Sequence, residues 1–205
     1  TAVGLPTGGY YKIERDGEFT LFLTSTETDD TRALAAADLD GDGKPDIVAG
    51  NHGHVSGDTE VAESNRIYWS PGLLAQGATW TGVALGSQTE FTTAVAIADF
   101  DGDGRKDVLV GNGDAPLDED GLPLVAEPNR IYRNLGARSF SLSFTTTETD
   151  DTRSLAAGDV NGDGLTDFVA GNNGVNRVYL QGGGGAFTPS VIPLGSEEPA
   201  YNSRG

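Results

Sequence analysis

The sequence predicts an all-β protein assembled from repeated four-stranded units. Three observations lead there. An acidic nonapeptide occurs three times, as Asp38-Leu39-Asp40-Gly41-Asp42-Gly43-Lys44-Pro45-Asp46, Asp99-Phe100-Asp101-Gly102-Asp103-Gly104-Arg105-Lys106-Asp107 and Asp159-Val160-Asn161-Gly162-Asp163-Gly164-Leu165-Thr166-Asp167. The copies begin at Asp38, Asp99 and Asp159, and a near-constant period of that length dictates a repeat architecture. Each copy runs into a short apolar, partly β-branched segment closed by Gly-Asn, and none of the 205 residues belongs to a sustained helical pattern.

Taken in order, each period begins with a small-residue strand, at residues 33–37, 94–98 and 154–158. The acidic loop follows, then the apolar second strand at 47–51, 108–112 and 168–172. A connection of variable length leads to a third strand: Asn65-Arg66-Ile67-Tyr68-Trp69, Asn129-Arg130-Ile131-Tyr132-Arg133 and Asn176-Arg177-Val178-Tyr179-Leu180. After a Gly-rich turn a fourth strand is expected near 79–85, 140–145 and 187–194. Four short strands joined by Gly-rich turns make the blade of a β-propeller. Three complete repeats of about 60 residues are expected, approximately 26–86, 87–146 and 147–205, within a single propeller domain or propeller segment spanning 1–205. Residues 8–24 read as the third and fourth strands of a partial blade, so that 1–25 supply only its outer strands. Tyr201-Asn202-Ser203-Arg204 matches Asp29-Asp30-Thr31-Arg32, where a further first strand is due. Thr1 reads as a mature or excised start, without initiator Met or signal peptide. A finer period is also visible: residues 26–32 recur identically at 147–153, whereas 88–94 differ, as though a two-blade unit had duplicated.

The loops carry the chemistry. Oxygen side chains at positions 1, 3, 5 and 9 suit a hard cation that takes six to eight oxygens at about 2.3–2.6 Å. Glycines at positions 4 and 6 let the loop curl so that those side chains converge. Position 7 varies, as expected where only its backbone carbonyl is used. The expected ligand set is therefore Asp38, Asp40, Asp42, Lys44 and Asp46; Asp99, Asp101, Asp103, Arg105 and Asp107; Asp159, Asn161, Asp163, Leu165 and Asp167. Calcium is the natural ion, about three Ca2+ in all, one per loop. Two carboxylates about 4 Å apart repel by roughly 1 kcal/mol in water and about 4 kcal/mol at an effective dielectric of 20, so four in one loop call for a cation. An EF-hand is excluded, because position 12 is Ala49, Val110 or Ala170 rather than Glu. Because each loop is closed by its own residues, pinning a turn is the expected role rather than sensing. Extracellular calcium modules bind at about 10⁻⁴–10⁻³ M, which suits permanent occupancy.

The loop pattern, the apolar strand ending Gly-Asn and the later Asn-Arg-Ile-Tyr resemble the FG-GAP/VCBS repeat family over nearly the whole chain. That resemblance implies calcium-binding propeller blades of the kind found in integrin α-chains and bacterial surface proteins, with about seven blades per ring. Asn161 departs from the pattern at position 3: it keeps an oxygen but loses a charge, so the third site is expected to bind more weakly.

A net charge of −18 offers no basic stripe for nucleic acid and disfavours an anionic membrane. The chain has no cysteine, and no apolar run approaches membrane-spanning length. No nucleophile motif, phosphate loop or zinc-protease helix is present, so an enzyme is not expected. Residues 52–64 and 113–128 form long connections on the face opposite the cation loops, and 173–175 a short one. Binding to a protein or glycan is expected on that face, as loops on a rigid scaffold usually carry it and as integrin-like propellers imply. The expected function is an extracellular, secreted or cell-surface adhesion or ligand-binding module. Its alternatives are a carbohydrate-binding or polysaccharide-lyase-associated propeller and a purely structural segment of a surface assembly that associates with itself or with the remainder of a longer propeller. His52 and His54 offer two imidazoles without a third ligand and read as an exposed loop; Asp114, Asp118, Glu119 and Asp120 read as solvated charge. Tyr68, Tyr132 and Tyr179 recur as packing residues, Trp69 and Trp80 offer aromatic faces to a sugar, and Arg32 and Arg153 are expected to pair with neighbouring Asp residues.

Overall fold

The computed structural model describes residues 9–13, 19–25, 29–56, 59–70, 78–80, 82–113 and 127–190, and those residues contain strands and turns but no helix. The first two strands, β1 (Gly9–Ile13) and β2 (Phe19–Ser25), pair antiparallel, where the outer strands of a partial blade are expected. Next come β3 (Thr31–Ala37), β4 (Asp46–Asn51), the small hairpin β5 (His54–Ser56) and β6 (Thr59–Val61), β7 (Arg66–Tyr68), β8 (Ala78–Trp80) and β9 (Gly82–Ala84). Of these, β3-β4-β7-β9 form a four-stranded antiparallel sheet. A second such sheet is β10 (Thr92–Ala98), β11 (Asp107–Asn112), β12 (Arg130–Gly136) and β13 (Ser139–Thr145). The third is β14 (Thr152–Gly158), β15 (Asp167–Asn172), β16 (Arg177–Gln181) and β17 (Phe187–Ser190). Three blade-like sheets therefore follow one another in sequence order.

One expected strand is split. Residues 79–85 form no single fourth strand: β9 completes the first blade, while β8 leaves it to run parallel to β2 with Ala78 beside Leu23. Trp80 supplies the physical reason, because its side chain is buried with Ala49 and Tyr68 on the side of the blade away from the second. The three first strands share a bulge, between Thr31 and Ala33, Thr92 and Ala94, and Thr152 and Ser154.

The cores lie between blades. Leu39, Val48, Ile67 and Leu85 of the first blade interlock with Val108, Val110 and Tyr132 of the second. Phe100, Leu109 and Ile131 of the second meet Phe168, Ala170 and Tyr179 of the third, with Phe168 and Tyr179 stacked at 4.3 Å. Strand side chains alternate between faces, so Val108 and Val110 point to one neighbour and Leu109 to the other, and all six residues of β11 are buried. Blades approach closely at the Gly of Gly-Asn. A Cβ on Gly50 would sit 2.6 Å from Thr92 Cγ2, and one on Gly111 2.9 Å from Thr152 Cγ2.

Candidate metal loops and the polar seam opposite

Each acidic loop joins a first strand to a second strand and is wound around its first Asp. Asp38 Oδ1 accepts the N–H of Gly41 at 2.8 Å and of Asp42 at 3.1 Å, and Oδ2 accepts that of Gly43 at 2.8 Å. Asp99 and Asp159 take the equivalent bonds from Gly102, Asp103 and Gly104 and from Gly162, Asp163 and Gly164. The curl requires both glycines: positions 4 and 6 have φ between 78° and 88° in all three loops.

Position 9 ties the loop to its neighbours. Asp46, Asp107 and Asp167 are buried, and one oxygen of each accepts the N–H of Leu39 (3.0 Å), Phe100 (2.8 Å) or Val160 (3.0 Å). The other oxygen accepts from Ser70 (2.7 Å), Asn134 (2.8 Å) or Gln181 (2.8 Å) at the end of the third strand. The ninth Asp thus locks the loop to two strands. Burial pushes the Asp46 carboxyl above its ordinary range and that of Asp107 up to about 6.

The donor set fits a hard cation. Carboxylate oxygens of Asp38, Asp40 and Asp42, and of Asp99, Asp101 and Asp107, lie within 4.8 Å of one another. Two opposed bonds of about 2.4 Å to a calcium ion span that distance. Asp101 Oδ2 is buried and accepts no hydrogen bond among the described residues; the Arg133 guanidinium lies against it. Asp46 and Asp103 stand outside these two clusters. In the third loop Asp159, Asn161 and Asp163 make the same backbone hydrogen bonds as their counterparts.

Basic side chains crowd the first two loops. Lys44 Nζ sits 2.6 Å from Asp42, and Arg138 Nη2 reaches across from the second blade to within 2.7 Å of Asp40. Arg105 pairs with Asp103, and Arg133 with Asp101 and, at 3.0 Å, Asp103. The Lys44 hydrogen bond holds the Asp42 carboxyl below its ordinary range; the Arg105 and Gly164 N–H groups do the same for Asp103 and Asp159. Position 7 donates its N–H to position 5 in every loop and in two adds a cation.

A second set of repeated contacts occupies the opposite strand ends. Asn51, Asn112 and Asn172 of Gly-Asn accept from Thr31, Thr92 and Thr152 through their side-chain carbonyls. Their backbone N–H groups donate to Asn65, Asn129 and Asn176, which gives the Asn of Asn-Arg its role. The Arg beside it pairs with an acid two residues before the Thr: Arg66 with Asp29, Arg130 with Glu90 at 2.7 Å, Arg177 with Asp150. Glu90 is fully buried and also accepts from Tyr132 and Asn65, both at 2.8 Å. Burial raises its carboxyl despite those partners.

The remaining candidates fall as follows. Tyr68, Tyr132 and Tyr179 are buried packing residues, and Arg32 and Arg153 pair with Asp30 (2.8 Å) and Asp151 (2.7 Å). His52 is not exposed: Gly53, at φ 109°, lies against the backbone of Val61, and the imidazole is buried edge-on to Phe91 at 5.4 Å. Trp80 is buried, and Trp69 is half-buried against Phe140 under Arg138, so neither offers an open stacking face. Asp114, Asp118, Glu119 and Asp120, residues 26–28 and 201–204, and the His54 side chain lie outside the described residues.

Repeated four-stranded blades with an acidic loop between the first two strands define a propeller-like repeat protein. The FG-GAP repeat family matches residues 31–68 and the FG-GAP-like repeat family residues 55–110, 117–170 and 159–204. The chain belongs to the FG-GAP-like repeat family. Human integrin alpha-7 is 31% identical over 130 residues, 55% of this chain and 10% of that protein. The chain thus spans about a tenth of that relative's length.

Proposed function

We propose that the chain is an extracellular calcium-binding propeller module, a single domain or a segment of one, that binds a protein or glycan on the face opposite its acidic loops. The observation that carries this reading is the convergence of carboxylate oxygens within 4.8 Å in the first two of three loops that recur with the blade period. Calcium would neutralise the converging carboxylates of Asp38, Asp40 and Asp42 and of Asp99, Asp101 and Asp107, with Asp159, Asn161 and Asp163 as the third set. Its role here is to staple the turn between first and second strands. The reading is non-catalytic. Similarity to an integrin α-chain favours a cell-surface setting and a protein partner. The β5–β6 hairpin and the exposed Arg32–Asp30 and Arg153–Asp151 pairs contribute to the proposed ligand face.

Thermal unfolding in millimolar calcium and in excess chelator tests the staple. At 100 times its dissociation constant, one ion stabilises by about 2.7 kcal/mol, which at this size moves the midpoint by several degrees. Asp42→Ala or Asp101→Ala should lower the calcium-loaded midpoint by a similar amount. If chelator and both substitutions leave the transition in place, calcium has no stapling role.

A further inference from the structure

The three loops differ in what already stands beside their carboxylates. Loop one sets Asp38, Asp40, Asp42 and Asp46 against Lys44 and Arg138; loop two sets Asp99, Asp101, Asp103 and Asp107 against Arg105 and Arg133. Loop three has only Asp159, Asp163 and Asp167, and no basic side chain among the described residues pairs with them. The sequence accounts for the difference. Leu165 stands where the others have Lys44 and Arg105, and Leu180 stands where the second blade has Arg133. The partner of Asp163 Oδ2 is instead the Asn161 amide, at 2.9 Å.

The four basic side chains are 42–48% exposed, but each leans on a carboxylate that is less exposed than itself. Arg138 occupies the β12–β13 turn with Ala137, at φ 61° and 49°, a turn that ordinarily selects Asn-Gly. Its Nε donates to Asp40 Oδ2 at 2.8 Å while the guanidinium lies 5.0 Å from the Trp69 ring centre. Asp40 and Asp101, the carboxylates that Arg138 and Arg133 meet, are 10% and 8% exposed. The corresponding turn of the third blade is glycine-rich: a Cβ on Gly185 would lie 3.6 Å from Asp101 Cβ, so that blade brings no charge to loop two.

We propose that Lys44, Arg138, Arg105 and Arg133 compete with calcium for loops one and two, so that loop three fills first despite Asn161. The proposal rests on the calcium reading above and reverses the order expected from carboxylate number alone. A dication entering loop one or two must displace or face a positive charge within a few ångströms, whereas in loop three it meets carboxylates partnered by neutral N–H donors alone among the described residues.

Isothermal titration of the full chain with calcium chloride at low ionic strength tests the order. The wild type should show one tight ion and a weaker class. Asp163→Asn, which keeps the oxygen that accepts the Leu165 N–H, should remove the tight ion. Arg133→Gln and Arg138→Gln should each tighten one weaker site by about tenfold. Lys44→Gln, on an exposed side chain, should act likewise on loop one and covers the case in which Arg138→Gln fails to fold. Survival of the tight ion in Asp163→Asn, or unchanged weak sites in the Arg133 and Lys44 variants, overturns the proposal while leaving calcium binding intact. A wild type that takes up no calcium overturns both, and is recognised by the absence of any saturable heat.

Discussion

Asp107 is a buried carboxyl whose two oxygens accept backbone N–H groups, yet burial outweighs those bonds and raises it from 3.8 to about 6. The folded protein therefore holds this proton more strongly than the unfolded chain does. Its contribution to stability is fully present below about pH 3.8 and is lost as pH rises through about 6. The interval corresponds to roughly 3 kcal/mol at 1.36 kcal/mol per pH unit. Asp46 and Glu90 are raised for the same cause and act in the same direction. Asp42, Asp103 and Asp159 are lowered, so their contributions fade only as pH falls below the ordinary carboxylate range. In excess chelator the unfolding midpoint should rise from pH 7 to pH 5, and Asp107→Asn should flatten the rise. Calcium, which favours the charged carboxylates, should weaken the trend. A midpoint in chelator that is flat or falls over this window would contradict the assignment.

Between residue and molecule stands a recurring cross-blade amide. Asn134 donates Nδ2–H to Leu39 O of the first blade at 2.7 Å, while its own N–H caps Asp107. Gln181 repeats the arrangement one blade on, donating to Phe100 O with its N–H on Asp167. Asn134→Ala leaves the backbone cap and orphans a buried carbonyl, which should cost about 1–3 kcal/mol in chemical denaturation at unchanged m-value. A loss within about 0.5 kcal/mol, the size of an ordinary surface substitution, would mean that the amide joins nothing of consequence. This link was not legible in the sequence. The two side chains differ in type, and Asn134 stands much farther along the chain from Asp107 than Gln181 does from Asp167, so no common spacing pairs them. Strands and loops were legible because each lies within one period and repeats with it. The acid that pairs with Arg66, Arg130 and Arg177 was available from the same period, since Asp29, Glu90 and Asp150 recur in step with the loops, but the change of residue at Glu90 hid it. Arg138 gave no local signal, because its partner Asp40 is 98 residues away.

At the scale of the molecule, stability is passed from blade to blade, as in other repeat proteins where each unit contacts its neighbours. The residue at loop position 2 reports this directly. Leu39 is 4% exposed and Phe100 1%, because the following blade closes over each, whereas Val160 is 52% exposed. The second strands show the same gradient: β11 is buried throughout, and β15 only in part. Phe100→Ala removes a ring packed edge-on to Phe168 at 6.3 Å and to Phe187 at 6.1 Å, and should cost about 3–5 kcal/mol. Val160→Ala removes exposed methyl groups and should stay within about 0.5 kcal/mol. Val160 and Phe100 hold the same loop position and make the same backbone bond to the ninth Asp, so the difference isolates the neighbouring blade from the loop itself. Denaturation of both variants at low protein concentration reads it. Were Val160→Ala as damaging as Phe100→Ala, the third blade would be covered in solution by another surface, and a titration of the loss against protein concentration would tell a second copy from the chain's own residues.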